Sequence, residues 1–461
     1  MNPPKPVARA DRVPLWRYLR LFRQDILSAQ PARLYRAWMA EFRTPFFRSY
    51  LCNDPALIAR VLNERPDDFP KSDRVGEGLR PLLGQSVFVT NGELWKRQRR
   101  LIDPAFDGGR LRDTFPAMWA AGQAAAGRMA EGVVEVEEAA SHAAADVIFR
   151  TLFSLPIEDA TAGAVFREFR AHQRAQPILN LAAFVRLPRW FPRLHGRTTR
   201  ATAARIRALI EGLCAARAEA IAAGTAPDDL ATKIMTAVDP ETGQGFATGE
   251  MGDQVAIFFL AGHETSASAL AWGLYLLATH PEVQERVAEE VASLPETPTF
   301  SDLSRLKFTR DVFRETLRLY PAVPMMVRQN LKPEEFRGRP VAPGAQIVLS
   351  PWHLHRHERM WENPDAFDPD RWQTDAGRAS ARDAYMPFSS GPRVCTGAGF
   401  AMAEGVVLLA SLLRAFRFAS AGDPPVPVAH LTVRARDGIR LNVTRRDLHR
   451  VQGGDAQTSG L

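Results

Sequence analysis

The segment Phe388-Ser389-Ser390-Gly391-Pro392-Arg393-Val394-Cys395-Thr396-Gly397 governs the reading of this chain. Gly391-Pro392 is a turn pair, and the residues after Gly397 run on as an apolar helical pattern to about Phe416. Cys395 therefore stands just before a helix N-terminus. The positive end of that helix and Arg393 both favour thiolate over thiol. A thiolate is a metal ligand or a nucleophile. A buried inert cysteine is the commoner occurrence, but an inert cysteine does not require an arginine two positions away.

Around this loop lies a chain of 461 residues, 46% hydrophobic and 24% charged, which is ordinary globular composition and excludes disordered, collagen-like and coiled-coil classes. Cys52, Cys214 and Cys395 are too few and too far apart for a disulfide framework, which implies a reducing compartment. The first residues, MNPPKPVARADRVPLWRYLRLFRQ, carry an arginine every few positions and no apolar h-region, so no secretory signal is expected. Uninterrupted apolar stretches such as Val255 to Ala261 are far shorter than a spanning helix, so no transmembrane anchor is expected and the cytoplasm is the expected location. Net charge is +7, yet aromatic residues are not interleaved with basic runs, which argues against nucleic acid and for a basic face toward an acidic partner.

From about residue 92 to 320 apolar residues recur at spacings of three and four, so most of the chain is expected to be helical. Strand-like segments are short: Pro45 to Cys52, Arg339 to Leu349 around a Pro343-Gly344 turn, and His430 to Arg436 with Ile439 to Val443 across Asp437-Gly438. The expected architecture is mainly α with small β-sheets in one large helical unit. Helical spacing persists from Met251 to His280, and inside that apolar run sits Ala261-Gly262-His263-Glu264-Thr265-Ser266. A buried ionisable group is costly unless it is paired or functional.

The positions Phe388, Gly391, Arg393, Cys395 and Gly397 resemble the haem-binding loop of cytochrome P-450 enzymes. In that family the cysteine thiolate is the proximal ligand of haem iron and favours O–O cleavage. Glu315-Thr316-Leu317-Arg318 resembles the family's Glu-x-x-Arg pair. The pattern recurs at Glu77 to Arg80 and Glu334 to Arg337, but only Glu315 precedes Tyr320-Pro321 and then Phe367 to Trp372, whose Arg371 would complete a buried ion network. Here Asp370 and Trp372 replace the commoner Glu and Phe. Ala261 to Ser266 is similar to the motif over the distal face of the haem, so the resemblance makes Glu264 a proton relay and Thr265 a hydrogen-bond partner of dioxygen, with Gly262 leaving room beside the helix. Trp95 and Arg99, together with Arg328 and Arg393, are implied to hold the propionates. Phe258, Ala261, Val323, Met325 and Met326 are implied to line an apolar substrate pocket.

The resemblance implies a single helical domain, residues 30–451, with haem between the long distal helix and the Cys395 helix, after an extension at 1–29 and before a disordered tail at 452–461. It further implies a monomeric monooxygenase using haem b and O2, with electrons from NAD(P)H through a ferredoxin or flavodoxin type carrier and its reductase. Such an enzyme hydroxylates, epoxidises or dealkylates a small apolar organic substrate. Lys96, Arg97 and Arg100 would steer the carrier. The alternatives are a peroxygenase or a non-oxygenating haem protein, and a divalent-metal hydrolase using His353, His355 and His357, which would share one face of a strand.

Overall fold

The computed structural model describes residues 2–43, 48–175 and 196–447. Helices dominate, and the longest, Thr248–Thr279, runs 32 residues, or about 48 Å at 1.5 Å per residue. It is apolar around most of its circumference because it is surrounded: Val136–Phe153 packs along it, with the Phe149 ring tilted against Phe259 and the Phe153 ring parallel to it. The Cys395 helix, Ala398–Ala415, and Lys307–Leu319 close the other flank. Ala398–Ala415 is long and apolar enough to cross a membrane, but two thirds of it lies inside the protein as a core helix.

The sheets are small. Met39–Arg43, Arg48–Cys52, Gln346–Leu349 and Met326–Gln329 form a four-stranded sheet in that order, with the middle pair parallel. Gly132–Glu135, Arg440–Arg445 and Phe416–Ser420 form a second. Val433–Ala435 pairs with Pro427–Ala429, so the two strand-like segments flanking Asp437-Gly438 enter different sheets rather than pairing with each other. Residues 2–29 lie against the body: Tyr320 donates to the Pro4 carbonyl, Ile26 donates to the Ala429 carbonyl, and Leu27 and Ala29 are buried. The tail expected at 452–461 lies outside the described residues.

Candidate active site

Cys395 closes a tight loop. Its N–H donates to the Phe388 carbonyl at 2.9 Å, and its own carbonyl accepts from Ala398 at the start of the helix. Gly391 is required where it stands, since its φ is +68° and a Cβ there would collide with the Leu62 carbonyl. Burial raises the Cys395 thiol above its ordinary value, while the Gly397 amide and the charges of Arg99 and Lys71 pull it down. Arg393 serves otherwise than its sequence position suggests. It stacks on Trp95 with its guanidinium 3.9 Å from the ring centre and donates to Thr90 and Asn91. Coordination to a metal removes a thiol's proton outright.

Beneath the loop, Glu315 accepts from Arg318 at 2.9 Å through both oxygens and from Arg371 at 2.9 Å. All three side chains are buried. The remaining Arg318 donors meet the carbonyls of His355, Pro364 and Ala366, so the charges are completely satisfied. The other copies of the pattern differ: Glu77 and Arg80 make a partly exposed pair, and Glu334 binds Arg65 while Arg337 binds Asp54.

A cavity of about 1080 Å³ separates Cys395 from the substrate-side elements, with Phe388, Gly397, Ala261, Gly262, Glu264, Thr265, Phe258, Val323, Met325 and Met326 in its wall. That exceeds the range of roughly 300–1,000 Å³ usual for one small ligand. Among the cations that line it are Lys71, Arg99, Arg328 and Arg393. Arg328 is buried, its guanidinium among the described residues reaches only the Val327 carbonyl at 3.4 Å, and burial lowers its pKa to about 10. Arg393 is lowered to about 10 by burial and by the nearby charges of Arg328 and Arg99. Lys71 is pushed well below its ordinary value by the same causes, although it donates to the Phe88 carbonyl. Arg99 has Asp103 and the Val394 carbonyl as partners. Crowded, desolvated cations of this kind call for anions. Two carboxylates on a planar, largely apolar group, with a metal facing Cys395, satisfy every one of these demands, so the residues fit haem.

Glu264 lines the cavity but is not free. It accepts from Gln173 at 3.1 Å, from Thr432 at 2.6 Å, and from Arg434. Thr265 donates back to the Ala261 carbonyl one turn earlier. Gly262 also makes room for a neighbouring helix, because a Cβ there would collide with Ile148.

The histidine alternative fails on geometry. Pro351–Leu354 is a short helix, not a strand, and the three imidazoles diverge. His353 bonds Ser350, His355 bridges the Arg318 carbonyl and the Met386 N–H, and His357 stacks on Trp38. Among the described residues no group of three His, Cys, Asp or Glu side chains could hold a metal ion. Of the residues expected to steer the carrier, Arg97 pairs with Glu250 and the Gly245 carbonyl, Arg100 with Asp239 and Glu241, and Lys96 with Glu93 and Asp67.

Residues 40–443 match the sequence model of the family described as Cytochrome P450. The chain is 34% identical to cyclooctat-9-en-7-ol 5-monooxygenase of Streptomyces melanosporofaciens, covering 82% of this chain and 82% of that protein. It is 31% identical to pentalenene oxygenase of Streptomyces avermitilis, covering 86% and 88%. The haem-domain crystal structure of cytochrome P450DA superposes with a TM-score of 0.80 at 25% identity, covering 97% of this chain and 98% of that one. The chain belongs to the cytochrome P450 family.

It is accordingly a cytochrome P450 monooxygenase, an oxidoreductase of a family that uses haem, dioxygen and electrons from redox partners on hydrophobic substrates. Within this cytochrome P450, Lys71 and the Glu264 partners Thr432 and Arg434 carry no motif and escape a reading of the sequence. Lys71 enters because a β-bridge sets its backbone beside Arg328, although the two lie 257 positions apart.

Proposed function

We propose that the chain is a bacterial-type cytoplasmic monooxygenase in which Cys395 ligates haem b and the substrate is a terpene-like hydrocarbon or alcohol. The observation that carries this reading is the joint placement of Cys395, Thr265 and the cations Lys71, Arg99, Arg328 and Arg393 in the wall of one cavity. When bound, haem supplies dioxygen activation and the insertion of one oxygen atom into a substrate C–H bond, with the other leaving as water. Arg328, Lys71, Arg99 and Arg393 would hold the propionates, Arg393 from its stack on Trp95. Gly397 would donate its amide to the sulfur and temper its charge. Glu315, Arg318 and Arg371 would act indirectly, by fixing the backbone that leads into the Cys395 loop.

On the substrate side, Phe258, Val323, Met325 and Met326 would exclude water and fit an apolar skeleton. Two curated relatives named for terpenoid substrates support that class. Glu264 would hold a proton and pass it to the Thr265 hydroxyl, since cleaving dioxygen consumes protons in a site otherwise kept dry. This acid and alcohol pair favours monooxygenation over a peroxygenase. The reductant would be NAD(P)H, delivered through a ferredoxin-type carrier.

The decisive measurement is the absorption spectrum of the reduced protein under carbon monoxide. A strongly red-shifted Soret band that disappears in Cys395→Ser is expected; a band unchanged by that substitution overturns the ligand assignment. Pentalenene and cyclooctat-9-en-7-ol should shift the spin state of the oxidised protein on titration, and no shift with either removes the substrate class.

A further inference from the structure

Behind the long helix lies a second, polar cavity of about 170 Å³, roomy enough for several water molecules. Glu264, Gln173 and Arg434 line both this cavity and the large one, so they form the partition between them. The small cavity also contains Glu137, from the first turn of Val136–Phe153. Glu137 accepts from the Ala435 N–H at 2.8 Å, the residue next to Arg434. Arg434 is ion-paired to Glu264, lies close enough to Glu137 to act on its charge, and is itself part exposed. One carboxyl group is thus ion-paired to this guanidinium and a second lies within its electrostatic reach.

We infer that Glu137 and Glu264 share one proton across Arg434, with Glu137 as the outer group that takes protons from water and recharges Glu264. This rests on the reading that Glu264 supplies Thr265. The balance is simple. A neutral Glu137 gives its proton to ionised Glu264 through cavity water; Glu137 becomes the carboxylate and Glu264 the acid, and solvent water later returns a proton to Glu137. One carboxylate faces one guanidinium before and after, so the transfer creates no additional buried charge. An isolated acid beside Thr265 lacks that compensation, because protonating it would strand Arg434.

The neighbouring groups leave the exchange to these two. Glu135 is occupied by the N–H groups of Glu137, Glu138 and Ile439. Glu138 is paired with Arg170. His263 bonds Ser141 and is held neutral by burial, its pKa lowered to about 4. His430, beside Arg434 and Glu264, is also lowered by burial. Burial raises Glu137 to about 7, against the Ala435 N–H and Arg434. It is therefore half protonated near neutrality, the condition in which a relay both accepts and gives.

Two measurements on the haem-loaded protein test the inference. Infrared titration with carboxyl-labelled glutamate should show a neutral carboxyl band with a midpoint near 7 that is absent in Glu137→Gln. In Glu264→Gln the midpoint should fall by about one unit or more, because Glu137 then has Arg434 to itself. A midpoint unmoved in Glu264→Gln overturns the sharing. Secondly, with a surrogate ferredoxin and reductase and no added substrate, the share of dioxygen released as peroxide should rise above pH 7 in the parent. In Glu137→Gln it should be several-fold higher at pH 6 and flat with pH, and Glu137→Asp should restore the slope. A parent-like profile in Glu137→Gln overturns the relay. If Glu264→Gln and Thr265→Ala also leave the peroxide share unchanged, the underlying proton path fails instead. A parent-like carbon monoxide spectrum in each variant shows that the fold is intact.

Discussion

Two glutamate–arginine clusters sit in this molecule, and they are built for opposite ends. Glu315, Arg318 and Arg371 are sealed from water, and the leftover guanidinium donors go to backbone carbonyls. Glu264 and Arg434 use the same chemistry across a partition, with a cavity on each side and an arginine that reaches solvent. The first cluster has no alternative arrangement that keeps its groups satisfied, so it is rigid. The second has a neighbour, Glu137, that can take over the guanidinium, so it can switch. Satisfaction of every donor, rather than the identity of the ion pair, separates a strut from a relay.

Breaking the strut should have the largest effect. Glu315→Ala strands two buried guanidinium groups and should cost about 3–5 kcal/mol, enough to abolish a folded haem protein; denaturant unfolding and the Soret absorbance would both report it. Glu404 sharpens the comparison, because it is a buried carboxyl with no cation paired to it among the described residues, held by Ser266 at 2.5 Å and pushed up to about 8 by burial. Below about pH 4 the native and unfolded states both bind that proton. Between there and about 8 only the native state does, so stability falls as pH rises through that window. Relative to Glu404→Gln, the parent should lose on the order of 1 kcal/mol per pH unit across it, read from urea midpoints.

Arg434→Ala should cost less, about 1 kcal/mol or below, because the guanidinium is part exposed and water replaces it. Its effect should appear instead in the peroxide share, so a large stability loss with unchanged peroxide would make the second cluster a strut after all. Lys96→Glu is the weakest case. Its pairs with Glu93 and Asp67 lie on the surface, so the melting temperature should stay at the parent value, and carrier-driven reduction should stay near the parent rate.

The comparison also explains what could be read in advance. Half of the strut was legible because Glu315 and Arg318 are one helical turn apart, whereas Arg371, 56 positions on, was legible only through the family resemblance. The partition was not legible: Glu264 announces itself inside an apolar run, but its partners Gln173, Thr432 and Arg434 are 91, 168 and 170 positions away. The histidines misled for a related reason. Alternation suggests one face only in an extended strand, whereas Ser350 caps a helix through His353 and turns the imidazoles apart.

The sequence by itself determined the local devices: a cysteine loop shaped by Gly391 and set at a helix start, a 32-residue helix carrying Glu264 and Thr265, and the Glu315 pair. Each depends on residues within a few turns of one another, where backbone geometry fixes what meets what. Only the tertiary structure decided that Lys71 joins the arginines, that Gly262 yields its space to Ile148, and that Glu137 and Glu264 flank one guanidinium. Those meetings follow from how separate helices and hairpins pack, and packing sets contacts that neither spacing nor composition records.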